Sequence, residues 1–132
     1  MIYHTQRLTF GSYASEEEIQ KYMTDLQALE RLDCIEKIVI GQDMGNPSAG
    51  FEDCRRITIM VVVRDLQAYA EYMNYPEHLD LANRGSGRML VQVISCDFSD
   101  DFNPGLRAEM QKVAEESDID PATRERAASI SV

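Results

Sequence analysis

Two side chains capable of acid–base chemistry lie close together in the segment Tyr72-Met-Asn-Tyr75-Pro76-Glu-His78. An imidazole titrates near neutral pH, so His78 could remove a proton from a carbon next to a carbonyl group. The Tyr72 hydroxyl could bind the carbonyl oxygen and stabilise the charge that develops on it. The other histidine, His4, lies near the amino terminus. This set predicts a catalytic site that requires no metal ion and no cofactor.

A structural role is the alternative for each of these residues. His4 could be a buried neutral histidine bonded to a carbonyl or a hydroxyl. Tyr72 lies at the flank of a helical apolar stripe, where a tyrosine can contribute burial alone. His78 follows a proline and could be an ordinary residue in the first turn of a short helix. Ligand binding without turnover is a third interpretation of the same set.

Apolar side chains that would line a pocket beside this set occur on both predicted helices. They recur at intervals of three or four residues, as on one face of a helix. An ordinary packed core is the alternative to a pocket. The candidate pocket residues are Tyr22, Met23, Leu26, Tyr69 and Met73.

The elements that must position these residues follow from the apolar spacing. Residues 2–10 alternate between apolar and polar side chains, which predicts a strand with His4 on the apolar, helix-facing side. Ser15-Glu-Glu-Glu18 is a capping box for a helix that should end near Leu32. Asp65 caps a second helix, which Tyr75-Pro76 should end or kink. Three further strands are predicted over residues 35–40, 56–63 and 89–98, and loops over 41–50 and 85–88.

The order β-α-β-β-α-β predicts an α+β domain of the ferredoxin-like, split βαβ type. Its four-stranded antiparallel sheet would carry the two helices on one face. The strands at 56–63 and 89–98 are apolar on both faces, so the second face must also be covered. A second copy of the sheet is the simplest cover, which predicts a homodimer packed sheet against sheet.

The character of the chain changes near residue 99. Ser99-Asp-Asp-Phe-Asn-Pro104 interrupts the strand pattern, and two further helices are predicted over 105–116 and 121–130. We therefore expect one domain over residues 1–98 and a C-terminal helical extension over 99–132.

The composition narrows the classes of partner. The chain has 132 residues and a formal charge of −10, and this acidic balance opposes a surface that follows nucleic-acid phosphates. No apolar run is long enough for a membrane span, and no signal pattern begins the chain, so we expect a cytoplasmic protein. Cys34, Cys54 and Cys96 lack metal-ligand spacing and are expected to be small buried residues.

The start Met-Ile-Tyr-His4, the acid-capped first helix and the segment from Ala70 to His78 resemble the Dabb family, the stress-responsive dimeric α/β barrels. The resemblance covers residues 1 to about 98. It implies a ferredoxin-like protomer whose sheet pairs with a partner's sheet to close a barrel. One member cyclises a linear polyketide without a cofactor, using a tyrosine and a histidine spaced as Tyr72 and His78 are. This chain departs at Tyr75, where many relatives have histidine.

Three functions are therefore carried forward from the sequence. The first is a homodimeric protein that binds a small hydrophobic or phenolic molecule between helices and sheet. The second is a cofactor-independent cyclase or lyase with His78 as base and Tyr72 as its hydrogen-bonding partner. The third is a structural module whose pocket is filled by side chains. A heme-degrading or quinol-oxidising monooxygenase shares the fold, but only the histidines would support it.

Overall fold

The fold was described from a computed structural model covering residues 1–49 and 55–131, without the side chains of residues 86 and 87. The prediction for Cys54 lies outside the described residues. Of the other two cysteines, Cys34 is buried as expected, whereas Cys96 is exposed, so the prediction for Cys96 was wrong.

The first strand and the first helix form where the residue pattern places them. Strand β1 spans Ile2–Phe10, and His4 lies on its buried side with 7% of its surface exposed. Helix α1 spans Glu16–Ala28 and begins with the predicted capping box, in which Ser15 and Glu18 bond each other's backbone N–H groups. A 3₁₀ turn over Leu29–Arg31 completes this helical segment.

The sheet is antiparallel, with the strand order β2-β3-β1-β4 expected of a ferredoxin-like fold. Strand β2 spans Lys37–Gln42, later than predicted, because the chain at Ile35 still closes the turn after α1. Strand β3 spans Arg56–Val63 and lies between β2 and β1. The register pairs His4 with Val61 and Leu8 with Ile57, so these buried residues share the helix-covered face.

The second helical region is divided by its proline. Helix α2 spans Leu66–Asn74 and is capped by the Asp65 side chain, which accepts a bond from the Ala68 N–H. Tyr75 is extended, with ψ of 132°, and helix α3 then spans Pro76–Arg84. Residues Gly85–Met89 continue α3 as a π-helical turn, where the sequence predicted a loop. The first position of α3 accommodates Pro76, because a backbone N–H at that position would have no partner within the helix and proline lacks this group.

The last strand of the predicted fold is broken in two. Strand β4 spans Leu90–Ser95, and a short strand β5 over Phe98–Ser99 pairs separately with β1, giving five strands rather than four. The Asp97 carboxylate accepts a hydrogen bond from the Thr5 backbone N–H at 3.1 Å. A side chain thus replaces a backbone acceptor of the ladder, which interrupts the strand at this point.

The C-terminal extension packs against the domain as two helices. Helix α4 spans Leu106–Glu115 and helix α5 spans Pro121–Ile130, close to the predicted positions. Ile130 is buried, and Ser131 forms a parallel bridge with Val93 of the edge strand β4.

None of the helices in the described part of the chain is long and apolar enough to cross a membrane.

Candidate functional site

A cavity of about 160 Å³ lies between the helices and the sheet. His4 from β1, Tyr72 from α2 and His78 from α3 all line it. The topology therefore brings His4, near the amino terminus, together with Tyr72 and His78, which are close to each other in sequence. The predicted pocket residues that also line this cavity are Tyr22, Leu26 and Met73.

Tyr72 and His78 are in direct ring contact. Their ring centroids are 4.3 Å apart, with an angle of 43° between the planes. Tyr72 has 1% of its surface exposed, and His78 is partly buried. The extended backbone at Tyr75 separates α2 from α3, and the two helices contact each other. The break between the helices at Pro76 is thus the local feature that allows Tyr72 and His78, six residues apart in sequence, to contact each other.

One hydrogen bond decides the protonation of the His78 ring. Its Nδ1 lies 3.1 Å from the backbone oxygen of Met73. A carbonyl oxygen can only accept, so Nδ1 carries the proton and Nε2 is the unprotonated atom. Burial lowers the pKa of His78 to about 4, and the carbonyl bond and the nearby His4 have smaller effects. The ring is therefore neutral at pH 7 and offers one acceptor nitrogen.

The Tyr72 hydroxyl is a hydrogen-bond donor without a partner among the described residues. Burial raises the pKa of Tyr72 far above its usual value, so the hydroxyl stays protonated. Burial also raises the pKa of Tyr22, at the same cavity, to about 12. A ligand oxygen in the cavity could accept the hydrogen bond that Tyr72 offers.

Asp97 is hydrogen-bonded to the third candidate residue, His4. The role of Asp97 was not predicted from the sequence. His4 Nδ1 lies 2.9 Å and 3.0 Å from the two Asp97 carboxylate oxygens. Because a carboxylate oxygen accepts, the Nδ1 of His4 donates to Asp97. A signal was present, because aspartate is disfavoured inside the apolar strand predicted over 89–98. Asp97 and His4 thus form an oriented acid–imidazole pair at the edge of the cavity.

Two predicted pocket residues lie elsewhere. Met23 lines a separate depression with Ile40, on the side of α1 that faces β2. Tyr69 packs edge-on against His4, with centroids 6.0 Å apart, but lines a different cleft of about 580 Å³. That cleft lies beside α4 and also exposes Asp97 and Cys96.

No cluster of three or more potential metal ligands occurs among residues 1–49 and 55–131. The polar side chains that line the cavity are two phenols, two imidazoles and one amide, from Tyr22, Tyr72, His4, His78 and Gln6. These groups can donate a hydrogen bond to a ligand oxygen and accept a proton.

Comparison with solved structures supports the same fold. A Dabb family protein with a ferredoxin-like fold from Mesorhizobium loti is 15% identical, with a TM-score of 0.62 over 76% of this chain and 96% of that chain. A dimeric ferredoxin-like protein of unknown function from Thermobifida fusca is 14% identical, with a TM-score of 0.60 over 74% and 89%. Hydroxynitrile lyase from Passiflora edulis is 13% identical, with a TM-score of 0.65 over 77% and 96%.

No curated protein has significant sequence similarity to this chain. The model of the family described as Stress responsive A/B Barrel Domain, however, matches residues 2–100. That range contains the whole sheet, helices α1 to α3 and every candidate site residue. The chain therefore belongs to the Dabb family of stress-responsive A/B barrel proteins.

Proposed function

We propose that this protein binds a small, mainly apolar molecule in the cavity bounded by His4, Tyr72 and His78, and that it does so as a cytoplasmic homodimer. The observation that carries the proposal is the position of Tyr72, whose hydroxyl makes no hydrogen bond among the described residues, in the lining of a mainly apolar cavity. Few, well-placed polar groups in an apolar lining are typical of small-molecule sites. Binding ranks above turnover because an imidazole with a pKa of about 4 is a weak base at neutral pH.

Two probes of equal size test this binding site. Phenol and toluene would be titrated into ¹⁵N-labelled protein, with chemical shifts followed near Tyr72 and His78. We expect phenol to bind about tenfold more tightly, because its oxygen can bond to the Tyr72 hydroxyl. Tyr72→Phe should remove this difference, whereas Tyr13→Phe, at a residue 63% exposed, should preserve it. If neither probe shifts these resonances in the wild-type protein, the binding proposal fails.

The homodimer is supported by the sheet face that the helices leave open. On this face Phe98 is 54% exposed and stacks on Tyr3 at a centroid distance of 4.6 Å, and Val39 is 41% exposed. The hydroxyls of Thr5 and Thr9 are buried without a hydrogen-bond partner among the described residues. A second sheet would cover the apolar groups and could supply partners for the hydroxyls. Two of the solved relatives, from Thermobifida fusca and Bacteroides fragilis, are described as dimeric.

The Arg7 guanidinium on this face is neutralised by a buried carboxylate. The guanidinium of Arg7 makes two bonds to the Asp43 carboxylate, at 2.7 Å and 3.0 Å, and Thr58 donates a third at 2.6 Å. These bonds hold the pKa of Asp43 far below its usual value, and hydrogen bonding from Arg7 has the largest effect. Burial of a paired charge beneath a second sheet costs less free energy than burial of an isolated charge. Light scattering should give twice the 15.0 kDa mass of one chain, and a monomer at micromolar concentration would exclude the dimer.

A cofactor-independent lyase or cyclase is the second candidate function. The orientation of both histidines, each held through its Nδ1, favours it, and His78 also has an unprotonated Nε2. In a lyase reaction on a cyanohydrin, His78 Nε2 would take the hydroxyl proton as the carbon–carbon bond to cyanide breaks. The products would be an aldehyde and cyanide, which leaves as HCN after regaining the proton. Tyr72 would donate a hydrogen bond to the oxygen on which charge develops.

Mandelonitrile, a cyanohydrin with a single ring, is a suitable probe of this reaction. Release of benzaldehyde would be followed by absorbance with wild-type protein, His78→Ala and a buffer blank. We expect His78→Ala to lose turnover, by about a hundredfold or more, while retaining the fold and the dimer. Equal rates for the variant and the wild type would remove His78 from any catalytic role.

A further inference from the structure

The wall of the cavity includes residues from outside the family domain. Ile119, between α4 and α5, and Ala127, on α5, line the cavity that also holds His4, Tyr72 and His78. Both residues follow the end of the family match at residue 100. The C-terminal extension is therefore part of the site itself.

This part of the wall is held by several specific contacts. The Asp118 N–H donates to the Asn74 side-chain oxygen at 2.7 Å, which ties the segment before α5 to the end of α2. Arg124 donates to the backbone oxygens of Glu115 and Ser117, each at 2.6 Å. Ser117 is buried, with 6% of its surface exposed. These bonds join α4, α5 and the helix that carries Tyr72, and they fix the position of Ile119.

The size of the cavity limits what can bind inside it. The cavity has about 160 Å³, below the roughly 300–1,000 Å³ of common small-molecule sites. An apolar cavity of about 150 Å³ in another protein holds one benzene ring. The space between this wall and the two histidines therefore fits a single six-membered ring.

The lining also defines the charge of the ligand. The described residues that line the cavity include no aspartate, glutamate, lysine or arginine. An unpaired charge would be costly to bury there. The polar residues of the lining are uncharged side chains or histidines, namely His4, Gln6, Tyr22, Tyr72 and His78. Among them the Tyr72 hydroxyl can donate a hydrogen bond and the unprotonated His78 nitrogen can accept one. Together they match a neutral compound with one hydroxyl or carbonyl group.

We propose that the C-terminal extension sets the ligand size of this protein, with Ile119 and Ala127 as specificity residues that restrict the site to neutral, single-ring hydroxyl or carbonyl compounds. This inference rests on the proposed binding function and adds the substrate class to it. Two-ring compounds should bind poorly, because Ile119 and Ala127 form part of the wall of a cavity with room for one ring.

Variants that change only the volume of this wall test the inference. Dissociation constants for phenol and 2-naphthol would be measured by titration of ¹⁵N-labelled protein. The wild-type protein should bind phenol at least about tenfold more tightly than 2-naphthol. Ile119→Ala should tighten 2-naphthol binding by about tenfold, and Ala127→Leu should weaken phenol binding by a similar factor.

Matched controls separate a change of volume from a general loosening of the extension. Val113→Ala truncates a partly buried residue of α4 that does not line the cavity, and Ala128→Leu adds the same bulk at an exposed position of α5. Both controls should leave both affinities unchanged within about twofold. Circular dichroism would confirm that each variant is folded. If Ala127→Leu does not fold, the result for Ile119→Ala alone decides whether the extension sets the ligand size.

The outcomes separate the two proposals. If wild-type protein binds phenol but binds 2-naphthol equally well, or if Ile119→Ala changes neither affinity, the extension does not set ligand size and the binding function stands. If wild-type protein binds neither compound, the binding function fails and the size inference fails with it. Selective recovery of 2-naphthol binding in Ile119→Ala supports both.

Discussion

At the scale of single residues, burial decides which groups at the site are charged. His78 is neutral at physiological pH because desolvation lowers its pKa to about 4, and Tyr72 is protonated because burial raises its pKa. The bond to Met73 selects the tautomer of His78, and the bond to Asp97 orients the ring of His4. The residue types were evident from the sequence, but their protonation depends on neighbours that only the folded chain provides.

The lowered pKa of His78 makes stability depend on pH. The unfolded chain takes up a proton at this ring as the pH falls through 6.5, whereas the folded chain does so only near pH 4. The unfolded state therefore binds more protons in this window, and stability falls as the pH drops through it. Between about pH 7.5 and pH 5 we expect His78 to account for a loss of about 1–2 kcal/mol, since the ring is only partly buried.

Urea unfolding of the wild type and His78→Asn at both pH values measures this contribution. Asparagine can still donate to the Met73 oxygen but does not titrate. The variant should lose about 1–2 kcal/mol less stability on acidification than the wild type. Parallel losses in the two proteins would show that His78 is not the group responsible.

At the scale of elements, short polar contacts determine where helices and strands begin and end. Asp65 caps α2 through a bond of 2.9 Å from the Ala68 N–H, and Tyr75-Pro76 separates α2 from α3. Both features were predictable because caps and prolines act through neighbouring residues. The break of the last strand at Asp97 was not predictable, because Asp97 bonds to His4 and Thr5, which are distant from it in sequence.

Asp65→Ala should destabilise the protein by about 1 kcal/mol, because it leaves the first N–H groups of α2 without a side-chain acceptor. Urea unfolding measures the loss. Asp65→Ser, which retains an acceptor at the cap, should recover most of it. Equal destabilisation by both substitutions would mean that the aspartate acts through its charge or its packing.

Asp43 ties the end of β2 to the centre of the sheet, and its loss should be costly. Asp43→Ala removes the acceptor for Arg7, Thr58 and the Gly45 N–H. We expect a loss of about 2 kcal/mol, limited because the Arg7 side chain is 32% exposed and can be rehydrated. Asp43→Asn should reduce the free energy of unfolding by less in the same urea assay. An unchanged free energy of unfolding for Asp43→Ala would show that the bonds of Asp43 do not stabilise the fold.

At the scale of the whole molecule, the two faces of the sheet differ in what covers them. One face is buried by α1, α2 and the C-terminal extension, and it contains the cavity. The open face carries partly buried side chains such as Met60 and Ile94 beside the Arg7–Asp43 pair. In the proposed homodimer this open face is the interface, so assembly and ligand binding would use opposite sides of one sheet.

A charge in the middle of the open face should prevent the proposed dimer. Met60 lies on β3, between its partners Thr5 and Val39, so Met60→Asp would bury an unpaired carboxylate at the interface. We expect a folded monomer by light scattering at micromolar concentration. Phe102→Asp, at a residue 94% exposed and outside the sheet, should keep the wild-type mass. An unchanged mass for folded Met60→Asp would exclude sheet-to-sheet assembly.

The sequence by itself determined the class of fold and the identity of the main candidate residues. Alternation along residues 2–10, the capping box at Ser15 and the proline at position 76 are local signals, and local signals survive without knowledge of the rest of the chain. The structure alone decided that Asp97 reaches His4, that Met23 lies away from the cavity, and that Ile119 and Ala127 close it. These are contacts between distant segments, which depend on how elements pack. In Tyr72-Met-Asn-Tyr75-Pro76-Glu-His78 the sequence supplied the chemistry and the break between helices, and packing against β1 and the extension determined the space in which that chemistry could act.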